Sequence, residues 1–394
     1  MPGFGFHTLA LLTAIGLAGP LLAAVPRLRI PVVIGELIAG LVVGRTGLNV
    51  VDVTDPTFQL LANVGFALVM FVVGTHVPVG AGTLRASLPQ ALARAALAGA
   101  VAAAFAAGLA TAFGTGHTAM YAVLMASSSA ALALPVIDSL RLRGPQVIAV
   151  TAQIAVADAA GIVLLPLVID LRHAGAAALG ALAVAGCSVL LYVVLRRSDA
   201  GGWRRRMHVY SENHRFALEL RTNLIVLFAL AALAVSTHVS VMLAGFAVGL
   251  VLGMVGEPRR LARQLFGITE GFFSPLFFVW LGASLQVREL GAHPKLILLG
   301  AGLGLGAVLA HCAGRLLGQP FTLAVLSAAQ LGVPVAAATI GTEEHLLVAG
   351  EASALMFGAL LTIAAASIAG AVASRNQVTK GPSAAGPPHP RTHD

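Results

Sequence analysis

Apolar runs of about 20 residues, the length a helix needs to cross the hydrocarbon of a bilayer, recur along the whole chain. The pattern predicts thirteen spans: 6–25, 30–49, 57–75, 87–113, 117–138, 146–171, 175–195, 217–237, 239–255, 264–286, 294–315, 319–341 and 352–373. The expected fold is therefore an all-α polytopic membrane protein. Hydrophobic residues make up 58% and charged residues 10%, against about 25% charged in soluble domains. Glycine, at 44 of 394 residues, lets membrane helices approach closely and fits a helix bundle better than a barrel.

Charge adds an orientation. The formal net charge of +8 comes from 24 Lys and Arg against 16 Asp and Glu. Placed with the N-terminus outside, nineteen of those 24 fall on the cytoplasmic side, among them Arg27, Arg29, Arg141, Arg143, the cluster from Arg196 to Arg206, Arg259, Arg260 and Arg263. Only Arg45, Arg172, Arg288 and Lys295 fall outside, and Arg94 lies within a span. The opposite orientation would reverse this split, so the positive-inside rule predicts an outer N-terminus and a cytoplasmic C-terminus in a cell membrane. The basic charge is read as topological, with anionic lipid headgroups rather than nucleic acid as its contact.

The first apolar run has no Lys or Arg before it and is read as a span, not a cleaved leader. Cys187 and Cys312 both lie inside predicted spans, which argues against a disulfide, a zinc site or any cofactor.

Spans two, three and five resemble spans nine, ten and twelve. Gly40 and Gly44 correspond to Gly249 and Gly253, a shift of 209 residues. Phe71-Val72-Val73-Gly74 corresponds to Val279-Trp280-Leu281-Gly282, and Leu134-Pro135-Val136 to Val333-Pro334-Val335. A displacement by seven helices reverses orientation in the membrane, which is the inverted repeat of many secondary transporters. The expected organisation is a transmembrane domain over 1–373, with repeat one at 6–171, a linking helix at 175–195 and repeat two at 217–373. A disordered cytoplasmic tail is expected over 374–394.

Spans five and twelve are expected to be discontinuous. One carries Ser127-Ser128-Ser129 ahead of Pro135, the other Gln330-Leu331-Gly332-Val333-Pro334. Proline removes a backbone donor and disrupts its turn, which frees carbonyls to line a cavity. Asp158 is the single charge in the apolar stretch from Gln146 to Ile169, near its middle. A carboxylate at that depth costs about 2.5 to 3.5 kcal/mol on insertion scales, and its default reading is an ion or proton site.

With these residues in view, the chain resembles the monovalent cation:proton antiporter superfamily, in the branch that holds bacterial Na+/H+ antiporters and potassium-efflux proteins. The resemblance runs from about residue 8 to 373. It is carried by Ile34-Gly35-Glu36-Leu37-Ile38-Ala39-Gly40, Phe71-Val72-Val73-Gly74, Ser127-Ser128-Ser129-Ala130, Ala157-Asp158 and Ser274-Pro275-Leu276-Phe277-Phe278-Val279-Trp280-Leu281-Gly282. It implies two broken helices that cross near an essential aspartate and move against a dimerisation domain, hence a homodimer. Asp158 matches the ion-carrying position of the family's acidic pair. The position before it is Ala157, where electrogenic members carry a second acid, and Gly306 stands close to where they carry a base.

Burial disfavours an ionised carboxylate and a bound cation favours it, so a proton and a cation compete for Asp158. Ser127, Ser128, Gln330 and freed carbonyls are the expected oxygen ligands of a transient Na+ or K+. The missing acid and base together predict electroneutral exchange of one H+ for one monovalent cation. His311 is read as an accessory proton group or a helix-end histidine bonded to a carbonyl. Glu36 and Glu270 are read as a cytoplasmic funnel or as snorkelling side chains, and Arg94 as snorkelling without a transport role. The alternatives are a potassium-efflux channel-like protein and a Na+-coupled organic-anion symporter on a similar fold. An intramembrane hydrolase would need a nucleophile and base, or a second acid, that the spans do not offer, so no enzyme activity is expected.

Overall fold

The structure is a computed structural model that describes residues 4–25, 32–76, 82–169, 174–200, 210, 214, 216–237, 239–256, 259–285, 288 and 294–379. Its helices, in chain order, begin with α1 (Phe6–Gly16), α2 (Ala18–Ala23), α3 (Val32–Val43), α4 (Pro56–His76), α5 (Gly82–Phe113), α6 (Thr118–Ala126), α7 (Ala130–Ser139), α8 (Pro145–Ile169) and α9 (Ala174–Ala200). They continue with α10 (Leu218–Ser236), α11 (Val241–Val255), α12 (Arg259–Ile268), α13 (Ser274–Ser284), α14 (Pro294–Cys312), α15 (Phe321–Leu326), α16 (Gly332–Glu343) and α17 (Glu351–Thr379). No strand occurs among the described residues.

Ten of the described helical segments are long and apolar enough to cross a membrane, and three shorter apolar helices, α3, α11 and Gly332–Thr342 of α16, stand in the remaining predicted positions. The chain is a multi-pass membrane bundle. Position in the bundle differs sharply between spans. The first span, Ala178–Asp199 and α10 are each 17% buried over their apolar windows, whereas Thr118–Ser139 is 78% buried. The discontinuous helix is thus the enclosed one.

Backbone rules set the local ends. Asp55 precedes Pro56 and accepts the N–H of Thr57 at 2.8 Å and of Phe58 at 3.2 Å, an aspartate cap followed by proline at the first helical position. Ser240 caps α11 by accepting from the N–H of Met242.

Helices have no hydrophobic drive to associate in lipid, so close packing depends on small residues at the contact. Two such contacts are related by the repeat. A Cβ on Gly40 would overlap the carbonyl oxygen of Val279, and one on Gly44 would overlap the backbone of Ala283, which locks α3 to α13. In the other half, Gly249 meets the carbonyl oxygen of Phe71 and Gly253 meets Thr75, which locks α11 to α4. The reciprocal glycines follow suit: Gly282 abuts Leu37, and Gly74 abuts Phe246. Glycines that match only weakly in sequence therefore stand at matching close contacts between helices.

Three expectations change in detail. The breaks do not fall at the prolines: Pro135 lies inside α7 and Pro334 in the first turn of α16, where a missing N–H costs nothing. Helix α5 begins at Gly82 rather than 87, so Arg94 lies twelve residues in, about 18 Å along the axis. It does not snorkel. Its side chain is fully buried and its Nη2 donates to the carbonyl of Leu317 at 3.1 Å. At the other end, α17 runs on to Thr379, and 380–394 lie outside the described residues, as do Arg27, Arg29 and residues 201–206 of the basic cluster.

Candidate functional site

The first discontinuous helix consists of α6 and α7, separated by Ser127, Ser128 and Ser129. Ser127 and Ser129 adopt extended backbone, so the helical ladder stops at Ala126 and restarts at Ala130. The second consists of α15 and α16, separated by residues 327–331. The two interruptions cross. The N–H of Ser129 donates to the carbonyl of Ala329 at 2.7 Å, and the Ser128 hydroxyl donates to the carbonyl of Ser327 at 2.6 Å.

Helix α8 brings Asp158 to this crossing. The residue is buried, and its Oδ2 accepts the N–H of Ala130, the first residue of α7, at 2.9 Å. A carboxylate at a helix N-terminus meets the positive end of the helix dipole. Close approach is possible because Gly161, one turn further along α8, has no side chain. A Cβ there would lie 2.9 Å from the Cβ of Ser127 and 2.8 Å from Val333. One helix face thus touches both discontinuous helices.

The free carbonyl end of α6 is covered by side-chain nitrogens. The Gln330 amide donates to Leu124 at 2.7 Å and to Ser127 at 3.5 Å. His311, at the end of α14 and fully buried, reaches both interruptions: Nε2 lies 3.2 Å from the carbonyl oxygen of Ser127 and Nδ1 3.2 Å from the Ser327 hydroxyl. Ser127 turns its own hydroxyl back to the carbonyl of Leu124 at 2.7 Å.

Sequence reasoning did not single out Gln153, Ser327 or Thr362, yet all three are buried here. Gln153 Nε2 donates to the Ser327 hydroxyl at 3.4 Å, and Thr362 of α17 accepts the N–H of Gln330 at 3.2 Å. The amide oxygens of Gln153 and Gln330 are buried and have no hydrogen-bond partner among the described residues. Unpaired oxygens in a buried site are expensive for the protein and available to a desolvated cation.

The site residues expected from sequence separate into two groups. Asp158, Ser127, Ser128, Gln330 and His311 come together at the crossing. Glu36 lies apart in α3, buried, with Oε2 unpartnered among the described residues. Glu270 is exposed in a π-helical turn, Thr269–Phe273, ahead of α13. At Gly306, close to the position expected to hold a base in electrogenic members, an added Cβ would lie 2.7 Å from the sulfur of Met125, so a side chain there would displace that methionine.

A model of the transmembrane sodium/hydrogen exchanger family matches residues 10–376, nearly the whole helical bundle. The chain belongs to that family. Among similar proteins, YjbQ of Bacillus subtilis, which is named for Na(+)/H(+) antiport, is 25% identical over 362 residues, covering 86% of this chain and 57% of that protein. The Na(+)/H(+) antiporter NhaS5 of Synechocystis is 27% identical over 332 residues, covering 80% of this chain and 46% of that one. This chain therefore spans only about half the length of these two relatives. In fold it is similar to the sodium proton antiporter MjNhaP1 of Methanocaldococcus jannaschii, with a TM-score of 0.66 at 16% identity over 94% of this chain and 97% of that one. A second structure of MjNhaP1, from electron microscopy, gives 0.69 at 15% identity over 97% and 100%.

Proposed function

We propose that this exchanger-family protein is a secondary active transporter that exchanges protons for a monovalent cation, Na+ or K+, by alternating access. The observation that carries the proposal is the single carboxylate of Asp158, buried beside the crossing and paired with no basic side chain in any salt bridge among the described residues. A lone buried carboxylate is neutral with one proton or one cation bound, and as an empty anion it is costly to keep in a dry site. Either loaded form can reorient, and the empty form cannot. Exchange follows from that asymmetry. The names of YjbQ and NhaS5 support Na+ as a substrate.

Each chemical part has a role in this reading. Asp158 holds the proton or the cation. Gln153 and Gln330 offer amide oxygens, Ser127 and Ser128 their hydroxyl oxygens, and the N-terminus of α7 steadies the carboxylate between loads. With Ala157 in place of a second acid and Gly306 close to where a base would stand, one proton exchanges for one cation and no net charge crosses. We place the protein in a cell membrane as a homodimer, with its N-terminus outside and its basic loops in the cytoplasm.

The test is cation-induced proton release from proteoliposomes, run with Na+, K+ and Li+ for the parent and for Asp158→Asn. The parent is expected to exchange with at least one of the three, and the Asn variant with none. An Asn variant as active as the parent would remove the proposal.

A further inference from the structure

Where α5 begins and α14 ends, a group of polar side chains lies outside the residues gathered at the crossing. Arg94 of α5 is fully buried, and its Nη2 donates to the carbonyl of Leu317 at 3.1 Å. Its Nε and Nη1 are also buried and have no hydrogen-bond partner among the described residues. Gln319, two residues beyond Leu317, is 4% exposed, and both polar atoms of its amide are likewise unpartnered there. The two side chains meet one turn of the chain. A 3₁₀ helix, Ala313–Leu317, follows α14, and the N–H of Gln319 closes it by donating to the carbonyl of Gly314 at 3.1 Å. Glycine is needed at 314, because a Cβ would overlap the Gln319 amide oxygen.

A charge buried in a membrane protein is tolerated when something compensates it. The Leu317 carbonyl satisfies one of five guanidinium N–H groups and none of the charge. No carboxylate forms a salt bridge with Arg94 among the described residues. A guanidinium with spare donors, next to an amide with spare donors, is suited to an oxyanion.

Depth narrows the choice of anion. Helical side chains point back toward the N-terminus of their helix, and Gln90, one turn before Arg94, donates to the same Leu317 carbonyl at 3.4 Å. The apolar stretch of α5 starts at Ser87, only three residues or about 5 Å from Gln90. The guanidinium is therefore within reach of the headgroup layer, where phosphates are the abundant oxyanion. Its cover is thin. Gln90 is exposed, and so are Leu317, at 38%, and Leu316, at 82%. Arg315, exposed in the same turn with its guanidinium 5.4 Å from the centre of the Phe321 ring, adds a second positive charge at the surface.

We propose that this turn binds a phosphate-class oxyanion, with Arg94 as the charged anchor, Gln90 and Gln319 as neutral donors and Arg315 as the exposed charge that draws the anion in. The phosphate belongs to the headgroup of an anionic phospholipid or is free in solution. Basic pockets between membrane helices hold phospholipid headgroups by this chemistry. Entering beside Gln90, the phosphate competes with the Leu317 carbonyl for the N–H groups of Arg94. Once bound, it pins α5 to the turn that leads into α15, the first half of the second discontinuous helix. On the proposed orientation this face is cytoplasmic; the site itself rests neither on that orientation nor on the proposed exchange.

The experiment uses the full chain, stripped of lipid in detergent, beside Arg94→Met and Gln319→Leu. Thermal midpoints are measured alone, with phosphatidylglycerol, with phosphatidylcholine, and with inorganic phosphate against chloride at equal ionic strength. A ligand that binds the folded state raises the midpoint by mass action. Phosphatidylglycerol is expected to raise the parent's midpoint by several degrees and that of either variant by clearly less, and phosphatidylcholine to act on all three alike. Without lipid, Arg94→Met is expected to melt no lower than the parent, since it removes a buried charge. A rise with inorganic phosphate that the variants lose would assign the site to the free anion. Gln319→Leu keeps the guanidinium, so the comparison stands where Arg94→Met yields no folded protein. Equal responses of parent and variants to every probe, or a deficit in the variants that is the same with and without each probe, would overturn the site.

Discussion

Asp158 and Thr362 occupy corresponding places in the two halves of the molecule. Each comes from the helix that follows a discontinuous one, and each accepts a backbone N–H at an interruption, from Ala130 at the start of α7 and from Gln330 within residues 327–331. One acceptor is a carboxylate and the other a neutral hydroxyl. The contacts that hold the halves together are repeated almost residue for residue, as the pairs Gly40 with Val279 and Gly249 with Phe71 illustrate. The scaffold is symmetric and its chemistry is not. Two carboxylates at one dry crossing would repel, and one would stay protonated. On the proposed reading, confining the charge to one half leaves a site that carries a single positive charge at a time.

The comparison is broken most severely at Asp158. Asp158→Asn makes both halves neutral and is expected to abolish cation-induced proton release, whereas Thr362→Ala is expected to retain it. Equal losses in the two variants would mean that the charge is not what distinguishes the halves. The next effect in size concerns the shared scaffold. Gly40→Val and Gly249→Val each push a side chain into the backbone of the facing helix, a strain of about 1–3 kcal/mol. Their thermal midpoints should fall by similar amounts, while Gly186→Ala, with nothing within 4 Å of its added Cβ, should leave the midpoint unchanged or raise it. Unequal falls would show that the two contacts do not carry equal weight. The smallest effect is the stability cost of Thr362→Ala, about 1 kcal/mol for one buried hydrogen bond, read as a small drop in the same midpoint.

Much of this architecture is legible in the sequence because membrane physics is repetitive. Apolar runs of fixed length mark the spans, and the paired glycines mark the contacts between halves. The serine triplet and Gln330 mark the interruptions, although the prolines that drew notice lie within the helices that follow. Gln153, Ser327 and Thr362 were not legible. Their partners lie far off in sequence, as with Gln153 and Ser327 at a separation of 174 residues, and single polar residues in apolar helices have no period to betray them. Arg94 was misread for a related reason: its partner is the carbonyl of Leu317, 223 residues away in sequence, and the turn there covers the guanidinium.

The claim that one carboxylate carries one charge is tested most directly by measuring proton and cation fluxes together in proteoliposomes, with the membrane potential set to a series of values. The account predicts one proton moved per cation and a rate that does not change with potential. A rate that follows the potential, or a potential generated by transport itself, would contradict it.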